Sequence, residues 1–212
     1  MFTITVLAIC FLAAISCKIK KVKAPVITQL MWYFHLTMLF FAVLSVILLI
    51  SGYGFKGTYT ERIFFTLYAG SAIILYGLTQ PEVSGKRVYL AAFYGFPFVM
   101  AVGLLLPPLR TLAVIAGLGL LSDSRMERYQ IDEDFALQTK SIDIIDRHPT
   151  FSLVQDKFFL FEKITSDVIM PEKNVLAVKM EKRGQDSVWL HLNMVEDAGK
   201  LAKLDTTLSL YR

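Results

Sequence analysis

The chain has 212 residues, of which 55% are hydrophobic and 19% are charged. Its 22 Lys and Arg residues exceed its 18 Asp and Glu residues, but nine of the basic and only two of the acidic residues precede Ser122, so the remainder carries a net charge of −3. Because nucleic-acid-binding proteins concentrate positive charge on a folded surface, this distribution argues against a nucleic-acid partner. It predicts a membrane domain over residues 1–121 and a soluble domain over residues 122–212.

The first apolar run, residues 1–17, is followed rather than preceded by its positive charges, which are Lys18, Lys20, Lys21 and Lys23. A secretory signal peptide has its positive charges first. We therefore predict an uncleaved membrane helix with its N-terminus outside and the lysines in the cytoplasm. A lipoprotein signal is the alternative, because the segment ending at Cys17 loosely resembles a lipobox, but it would place four lysines outside.

Three further apolar runs follow at residues 26–51, 62–79 and 88–106, of which the first comfortably exceeds the ~20 residues that cross a bilayer. The glycine-rich connection 52–61 is predicted to be a loop. Pro107 and Pro108 end the fourth run, because proline removes a backbone donor and restricts the residue before it. Residues 109–121 then form either a short fifth span or a re-entrant or interfacial helix.

The number of spans determines the side of the soluble domain. With the N-terminus outside, four spans place the domain outside and five place it in the cytoplasm. Five spans also keep Arg125 and Arg128 on the cytoplasmic side, which agrees with the positive-inside rule. We therefore predict a multi-pass protein of the bacterial inner membrane with four to five helices and a cytoplasmic domain.

His35 is the one histidine or charged residue that lies well inside a predicted span. Intramembrane ionisable groups are costly and are candidates for function, so His35 is a candidate intramembrane polar site. A structural role is the alternative, in which His35 reaches the headgroup layer near Trp32 or bonds Thr37 or a tyrosine. Small residues such as Gly70 and Gly77 predict close helix packing, within one subunit or between copies.

Cofactor, metal and catalytic signatures are missing from the sequence. Two cysteines on one helix form neither a disulfide framework nor a zinc site, and His148 and His191 have no ligand at metal-binding spacing. His148 with Asp143, Asp146 or Ser141 matches no nucleophile elbow, P-loop or zincin pattern. We therefore assign no catalytic residue, no cofactor and no metal, and we do not expect an enzyme.

The soluble domain alternates apolar and polar residues, as strands do. Strands are predicted at residues 135–139, 141–145, 151–155, 157–164, 175–181 and 187–194, with turns at 147–149 and 155–157. The last two strands form a hairpin with Leu176, Val178 and Met180 on one face. A short amphipathic helix is predicted over 195–204, where apolar residues have helical spacing.

Trp189 and His191, with Asn193 alongside, lie opposite the apolar face that Val188, Leu190 and Leu192 form on the second strand of this hairpin. If the face is exposed, these three residues are a candidate partner-contact face. If a second sheet covers it, Trp189 belongs to the core.

The runs 149–153, 157–161 and 169–175, followed by the predicted helix, are similar to bacterial membrane proteins with a PH-like domain. The resemblance covers about residues 146–204 and lies in the pattern of a strand pair followed by a proline-containing lead into the next strand, in which this chain has Ile169-Met170-Pro171 where the family has Ile-Pro. It implies a curved antiparallel sheet capped by a C-terminal helix, acting in binding or assembly without catalysis.

Together these features predict a membrane-anchored assembly or binding module. Its β domain would contact a protein partner or the lipid surface, with membrane lipids and a protein partner or a second copy as partners. One alternative is a small transporter or pore that uses His35. A weaker one is a membrane-bound lipid-modifying enzyme that uses His148.

Overall fold

The computed structural model describes residues 2–79, 84–121, 127–140, 150–171, 174–182, 187–195 and 201–210. The chain forms two compact units. The helical unit contains residues 1–47 and 59–123, and the β unit contains residues 48–58 and 124–212. The segment 48–58, which the sequence places among the membrane helices, therefore belongs to the β unit.

The helical unit begins with two long apolar helices and contains five helices in all among the described residues. They are α1 (Phe2–Ile19), α2 (Pro25–Ile50), α3 (Thr60–Leu78), α4 (Ser84–Leu105) and α5 (Pro107–Leu121). Within the described chain, α1, α2 and residues Gly85–Leu105 of α4 are long and apolar enough to cross a membrane. The predicted membrane character is thereby confirmed. The predicted break is confirmed as well, since α4 ends at Leu105 and α5 starts at Pro107, where proline is well tolerated.

Helices α1 and α3 run parallel and touch along their length. At one end, Arg62 Nε donates a hydrogen bond to Thr3 Oγ1 at 2.7 Å. Toward the other end, a Cβ built on Gly77 would lie 2.6 Å from the Cα of Ala14, a distance that only glycine permits. The small residues recognised in the sequence thus let two helices of the same chain approach closely.

The β unit contains eight strands among the described residues. They are β1 (Tyr53–Phe55), β2 (Arg128–Gln130), β3 (Phe135–Lys140), β4 (Thr150–Phe158), β5 (Phe161–Ile169), β6 (Asn174–Lys182), β7 (Ser187–Val195) and β8 (Leu201–Ser209). All pairs are antiparallel, in one sheet of order β1-β5-β4-β3-β2 and another of order β6-β7-β8. Phe135 and Phe151 of the first sheet share one core with Leu190 and Leu192 of the second. The unit is a small β sandwich.

The predicted C-terminal helix is wrong where the structure describes it, because Leu201–Ser209 is strand β8 and pairs with β7. The apolar spacing of Leu201, Ala202 and Leu204 fits a helical turn. A period of two, however, continues further along the chain, and it carries Leu208 and Leu210 into the core. The alternation with a period of two is longer than the helical spacing, and the β7 backbone offers hydrogen-bond partners for a strand. The segment therefore forms a strand and not a helix. Residues 196–200 lie outside the described chain.

The predicted turn at residues 155–157 is also wrong. Strand β4 continues through this polar stretch to Phe158, and the chain reverses at Phe159 and Leu160. Asp156 stays in the strand because its amide donates to the carbonyl of Asp134 at 2.8 Å and its carboxylate pairs with Lys56. An apolar sequence therefore occupies the hairpin turn, where polar residues are usual.

The connection 52–61 is not wholly a loop, because it contains β1. Gly52 (φ +75°) and Gly57 (φ +106°) flank this strand in the left-handed region that favours glycine. The amide of Ile164 donates to the carbonyl of Gly52 at 2.8 Å, and the amide of Lys56 donates to that of Leu160 at 2.9 Å. These hydrogen bonds attach the connection between α2 and α3 to the edge of the first sheet.

The predicted hairpin is confirmed as the pair β6 and β7. One of its predicted core residues is not buried, because the register shifts between Val175 and Ala177. Val175 packs on the core in place of Leu176, which is exposed. A bulge of this kind reverses the faces of the residues before it. The hairpin loop is predicted at 182–186, and its first residue, Lys182, is instead the last residue of β6. The rest of that loop, the predicted strand 141–145 and the turn 147–149 lie outside the described residues.

Candidate functional sites

His35 lies at the centre of a polar cluster inside the helical unit and is completely buried. Its Nδ1 is 2.9 Å from Ser71 Oγ on α3, and its Nε2 is 2.7 Å from the hydroxyl of Tyr89 on α4. The Tyr89 hydroxyl is in turn 2.6 Å from the hydroxyl of Tyr68 on α3. The cluster therefore connects three helices through side-chain hydrogen bonds.

The direction of each hydrogen bond follows from counting protons. Ser71 Oγ lies 2.9 Å from the carbonyl of Tyr68, and when it donates its single proton there, it accepts from His35 Nδ1. In the neutral imidazole, Nε2 then accepts from Tyr89, and Tyr89 accepts from Tyr68. Every polar group of the cluster is satisfied in this arrangement.

Aromatic rings enclose the imidazole. Tyr68 stacks on it with ring centroids 4.8 Å apart, and Trp32 and Phe93 meet it edge-on at 5.8 and 6.5 Å. Of the partners predicted from the sequence, a tyrosine is present, whereas Thr37 bonds the carbonyl of Tyr33 in its own helix at 2.9 Å. The sequence could not identify Ser71, because serine in an apolar helix is common and its partner lies on another helix.

Basic residues gather at one end of the helical unit. Lys18, Lys21 and Arg87 line a groove of about 350 Å³ formed by the ends of α1 and α3 and the beginning of α4. The Nζ atom of Lys18 lies 4.3 Å from the centre of the Tyr76 ring, a cation–π contact. Lysines and aromatic rings in this combination are typical of a membrane–water interface.

The candidate partner-contact residues lie on the outer side of the β6-β7-β8 sheet. Val188, Leu190 and Leu192 face the sandwich core, whereas Trp189, His191 and Asn193 lie on the opposite face and are partly exposed. The sheet β1-β5-β4-β3-β2 therefore covers the face opposite Trp189.

On that outer face, His191 Nδ1 lies 2.7 Å from Asp205 Oδ1 on β8, and the Trp189 and His191 rings are 5.0 Å apart. Asp205 could not be recognised in advance, because the residues before it, 195–204, were predicted to form a helix. Once β8 is a strand, register places Asp205 directly opposite His191. An aromatic ring, an imidazole and a carboxylate thus share one surface, a combination suited to contacts with a protein.

Glu162 on β5 is the other buried polar centre and is 3% exposed. One of its oxygens accepts from Arg128 Nη2 at 2.8 Å, and the other accepts from the amide of Gly57 at 3.3 Å. Burial of the carboxylate is tolerated because it is paired and hydrogen-bonded. Glu162 therefore ties the connection that follows β1 to strands β2 and β5.

Side chains that could bind a metal do not cluster among the residues that the structure describes. Within them, no three His, Cys, Asp or Glu side chains converge as metal ligands. The weaker enzyme hypothesis depends on Ser141, Asp143, Asp146 and His148, which lie outside the described ranges.

Comparison with known proteins adds no relative. No protein-family model matches the chain, no curated protein matches it, and no solved structure matches it. The function must therefore be inferred from the geometry of the chain itself.

Proposed function

We propose that the chain is a multi-pass inner-membrane protein whose β sandwich is a membrane-tethered binding or assembly module on the non-cytoplasmic side. The observation that supports this most directly is β1. This strand lies in the nine-residue connection between α2 and α3, yet it pairs with β5 of the sandwich. The sandwich is therefore attached to the helices at two places in the chain, before α3 and after α5.

Four of the helices cross the membrane in this proposal. Helices α1, α2 and α4 have the length and apolarity of spans. Helix α3 is 19 residues long and lies parallel to α1, from the Arg62–Thr3 hydrogen bond to the contact between Gly77 and Ala14. A helix that accompanies a membrane span along its length crosses the same hydrocarbon layer.

The side of the sandwich follows from the parity of the crossings. The connection before α2 carries Lys20, Lys21 and Lys23, and the first turn of α4 carries Lys86 and Arg87. Both lie at the same end of the helices, and the positive-inside rule assigns that end to the cytoplasm. The connection between α2 and α3 then lies on the other side of the membrane. Because β1 belongs to this connection and pairs with β5, the sandwich lies on that side as well. This proposal replaces the cytoplasmic location expected from a count of five spans.

Helix α5 does not cross in this arrangement, because a fifth crossing would separate β2–β8 from β1. It is 15 residues long and packs back on α4, where a Cβ on Gly103 would lie 3.1 Å from the Cβ of Ala113. At 1.5 Å per residue it extends about 22 Å, which is short of the ~30 Å hydrocarbon core. This favours the re-entrant or interfacial alternative.

The binding role is supported by the outer face of the second sheet. Trp189, His191 and Asn193 are partly exposed there, and Asp205 completes a polar surface around the indole. The resemblance to PH-like membrane proteins implies the same kind of role, although the capping helix expected from it is strand β8 over the described residues 201–209. We propose a protein partner for this face, either a second copy or another envelope protein.

Cysteine labelling in intact cells tests the location. In a Cys10→Ala, Cys17→Ala background, Lys203→Cys on the exposed side of β8 should react with a membrane-impermeant maleimide before lysis, and Lys21→Cys only after lysis. The reverse pattern would overturn the proposal. For the binding role, a photo-crosslinker at position 191 should give a discrete adduct in cells. The same group at Ser166, an exposed residue of β5 on the other sheet, should not.

A second candidate, proton or solute transport, is favoured by the hydrogen-bonded row Tyr68–Tyr89–His35–Ser71 inside the helical unit. Such a row can pass a proton if the hydroxyls reverse. Flux through liposomes containing the purified protein tests it, with His35→Phe as the variant. Thr37→Val is the matched control, because Thr37 bonds only its own helix among the contacts described above. Equal leak from protein-free liposomes and from all three proteins would rule transport out.

A further inference from the structure

The turn between β4 and β5 presents three consecutive large apolar side chains to solvent. Phe158 is 70% exposed, Phe159 92% and Leu160 56%. We name these three residues the apolar tip. Single exposed apolar residues are ordinary on protein surfaces, but three bulky ones in a row at a hairpin turn are not, because turns favour Gly, Asn, Asp, Pro and Ser.

The sandwich core does not explain the tip. Phe151, Leu153 and Val154 of the same strand are buried, and the burial stops before the chain reaches Asp156. The polar pair Asp156 and Lys157 lies inside strand β4 and not in the turn. Strand β4 extends past them and carries the tip outward. The contacts of Asp156 explain why the strand continues, but they do not require the turn itself to be apolar, and a local rule broken in this way often marks function.

The tip is held next to the chain that enters the membrane helices. The amide of Lys56 donates to the carbonyl of Leu160, the side chain of Lys56 pairs with Asp156, and the ring of Phe55 lies 5.5 Å from the ring of Phe161. Lys56 is four residues before Thr60, where α3 begins. At no more than about 3.5 Å per residue, the backbone at Lys56 lies within about 14 Å of the start of that helix.

We infer that the apolar tip inserts into the lipid interface and anchors the sandwich to the bilayer surface. The inference rests on the proposed function, because it takes α2 and α3 as membrane spans. Phenylalanine and leucine gain free energy at the boundary between headgroups and acyl chains, and aromatic residues concentrate there. The exposed Lys157 and Lys163 beside the tip suit the phosphates of the headgroup layer. The occupant of this surface is thus the membrane that the chain already spans.

Depth-dependent fluorescence quenching in the full-length protein tests the inference. The two native tryptophans are removed as Trp32→Phe and Trp189→Phe, and a single tryptophan is introduced as Phe159→Trp. The protein is reconstituted into vesicles of phosphatidylcholine and phosphatidylglycerol, with bromine atoms at shallow or deep acyl positions. Leu176→Trp is the matched control, because Leu176 is an equally apolar residue of the sandwich, 63% exposed, on β6 of the other sheet.

The expected result is a blue-shifted emission for Phe159→Trp that loses most of its intensity with shallow bromines and resists aqueous iodide. Leu176→Trp should behave in the opposite way. Iodide quenching of both tryptophans, with no effect of bromolipid on either, would overturn the inference. Protection of position 159 in cells but not in vesicles would also overturn it, in favour of a protein partner.

Failure of this inference is distinguishable from failure of the proposed function. Bromolipid is present in both leaflets, so quenching at position 159 does not depend on the side of the membrane. The cysteine-labelling experiment at Lys203 and Lys21 reports the side and does not depend on the tip. Phe159→Ser provides a second readout: it should leave the fold in detergent unchanged and make residues 53–57 exchange amide hydrogen faster in vesicles only.

Discussion

The helical unit and the β unit follow opposite rules of burial. In the helical unit, many of the buried residues are small or polar, such as Ala14, Ala72 and Ser71, while Leu12, Val26 and Leu105 are between 65% and 82% exposed. In the β unit, Phe135, Phe151 and Leu190 are buried. The difference shows that burial is set by the solvent: lipid offers apolar side chains as good a place as the interior, whereas water does not. The apolar tip lies in the β unit but follows the rule of the helical unit.

The largest effect should come from truncating the sandwich core. Phe151 is fully buried, so Phe151→Ala should cost about 3–5 kcal/mol of the free energy of unfolding of the β unit, through lost burial and a cavity. Phe159→Ala removes the same atoms from a 92% exposed position and should change this free energy by less than about 0.5 kcal/mol in detergent. Guanidinium unfolding, followed by Trp189 fluorescence in a Trp32→Phe background, measures both.

Equal losses for Phe151→Ala and Phe159→Ala would break the comparison, because the apolar tip would then belong to the core of the β unit.

In the helical unit, adding a side-chain atom where two helices touch should lower the stability, as removing side-chain atoms from the core does in the sandwich. A Cβ at Gly77 would lie 2.6 Å from both the Cα and the carbonyl oxygen of Ala14, so Gly77→Ala must separate α1 from α3. Overpacking of this kind costs about 1–3 kcal/mol. The control is Gly95→Ala in α4, where a Cβ meets nothing within 4 Å.

Titration with a denaturing detergent, followed by helical circular dichroism, should therefore give a lower midpoint for Gly77→Ala. Gly95→Ala should be unchanged or slightly higher, because alanine is a better helix former than glycine. If both variants behaved alike, the close approach of α1 and α3 would not stabilise the unit.

The two units also contain contrasting buried polar residues. His35 is uncharged in the hydrogen-bond pattern described above, whereas Glu162 faces a guanidinium. Glu162→Gln keeps the shape but removes the charge that Arg128 pairs with, and it should cost about 1–3 kcal/mol. Glu181→Gln on the exposed side of β6 is the control and should have little effect.

Hydrogen exchange sharpens this test, because Glu162 also accepts the amide of Gly57. In Glu162→Gln, residues 53–57 should exchange faster than the amides of β6 and β7. Uniform acceleration across the sandwich would mean that Glu162 stabilises the fold globally and does not hold the connection between α2 and α3.

The helices and the hairpin β6–β7 could be predicted because their patterns are local and long. Apolar runs predict membrane helices, and the alternation of apolar and polar residues from Val188 to Met194 predicts a strand with one buried face. Strand β1 could not be predicted, since three residues between two glycines carry too little pattern, and their partner lies more than 100 residues away at β5. Its discovery is what changes the proposed side of the sandwich.

The candidate sites divide in the same way. His35 could be recognised as unusual from its place in an apolar run, but its partners come from α3 and α4 and depend on tertiary packing. The tip was predicted as part of a strand, because Phe158–Phe161 has a strand-like composition. The turn lies there only because the pairing of Asp156 with Lys56 and with the backbone of Asp134 keeps the polar stretch extended.

The smallest effect concerns the alkaline stability of the β unit. Burial, with the hydrogen bond from the Tyr129 hydroxyl to Glu127 and the charge of that carboxylate, raises the pKa of Tyr129 to about 12. The unfolded chain has a tyrosine pKa near 10. Because the folded state holds the proton more tightly, this contribution to stability is fully present below about pH 10 and is lost as the pH rises toward 12.

Tyr129→Phe removes this titration, so its guanidinium midpoint should fall less steeply between pH 10 and 12 than that of the unsubstituted protein. Below pH 9 the two curves should run parallel, which is the internal control. Identical slopes in the alkaline window would mean that Tyr129 titrates normally in the folded protein. The pairing of Tyr129 with Glu127 would then be a contact of the exposed surface. A steeper fall in the unsubstituted protein would identify the middle of β2 as a place where the folded β unit holds a tyrosine proton more tightly than the unfolded chain does.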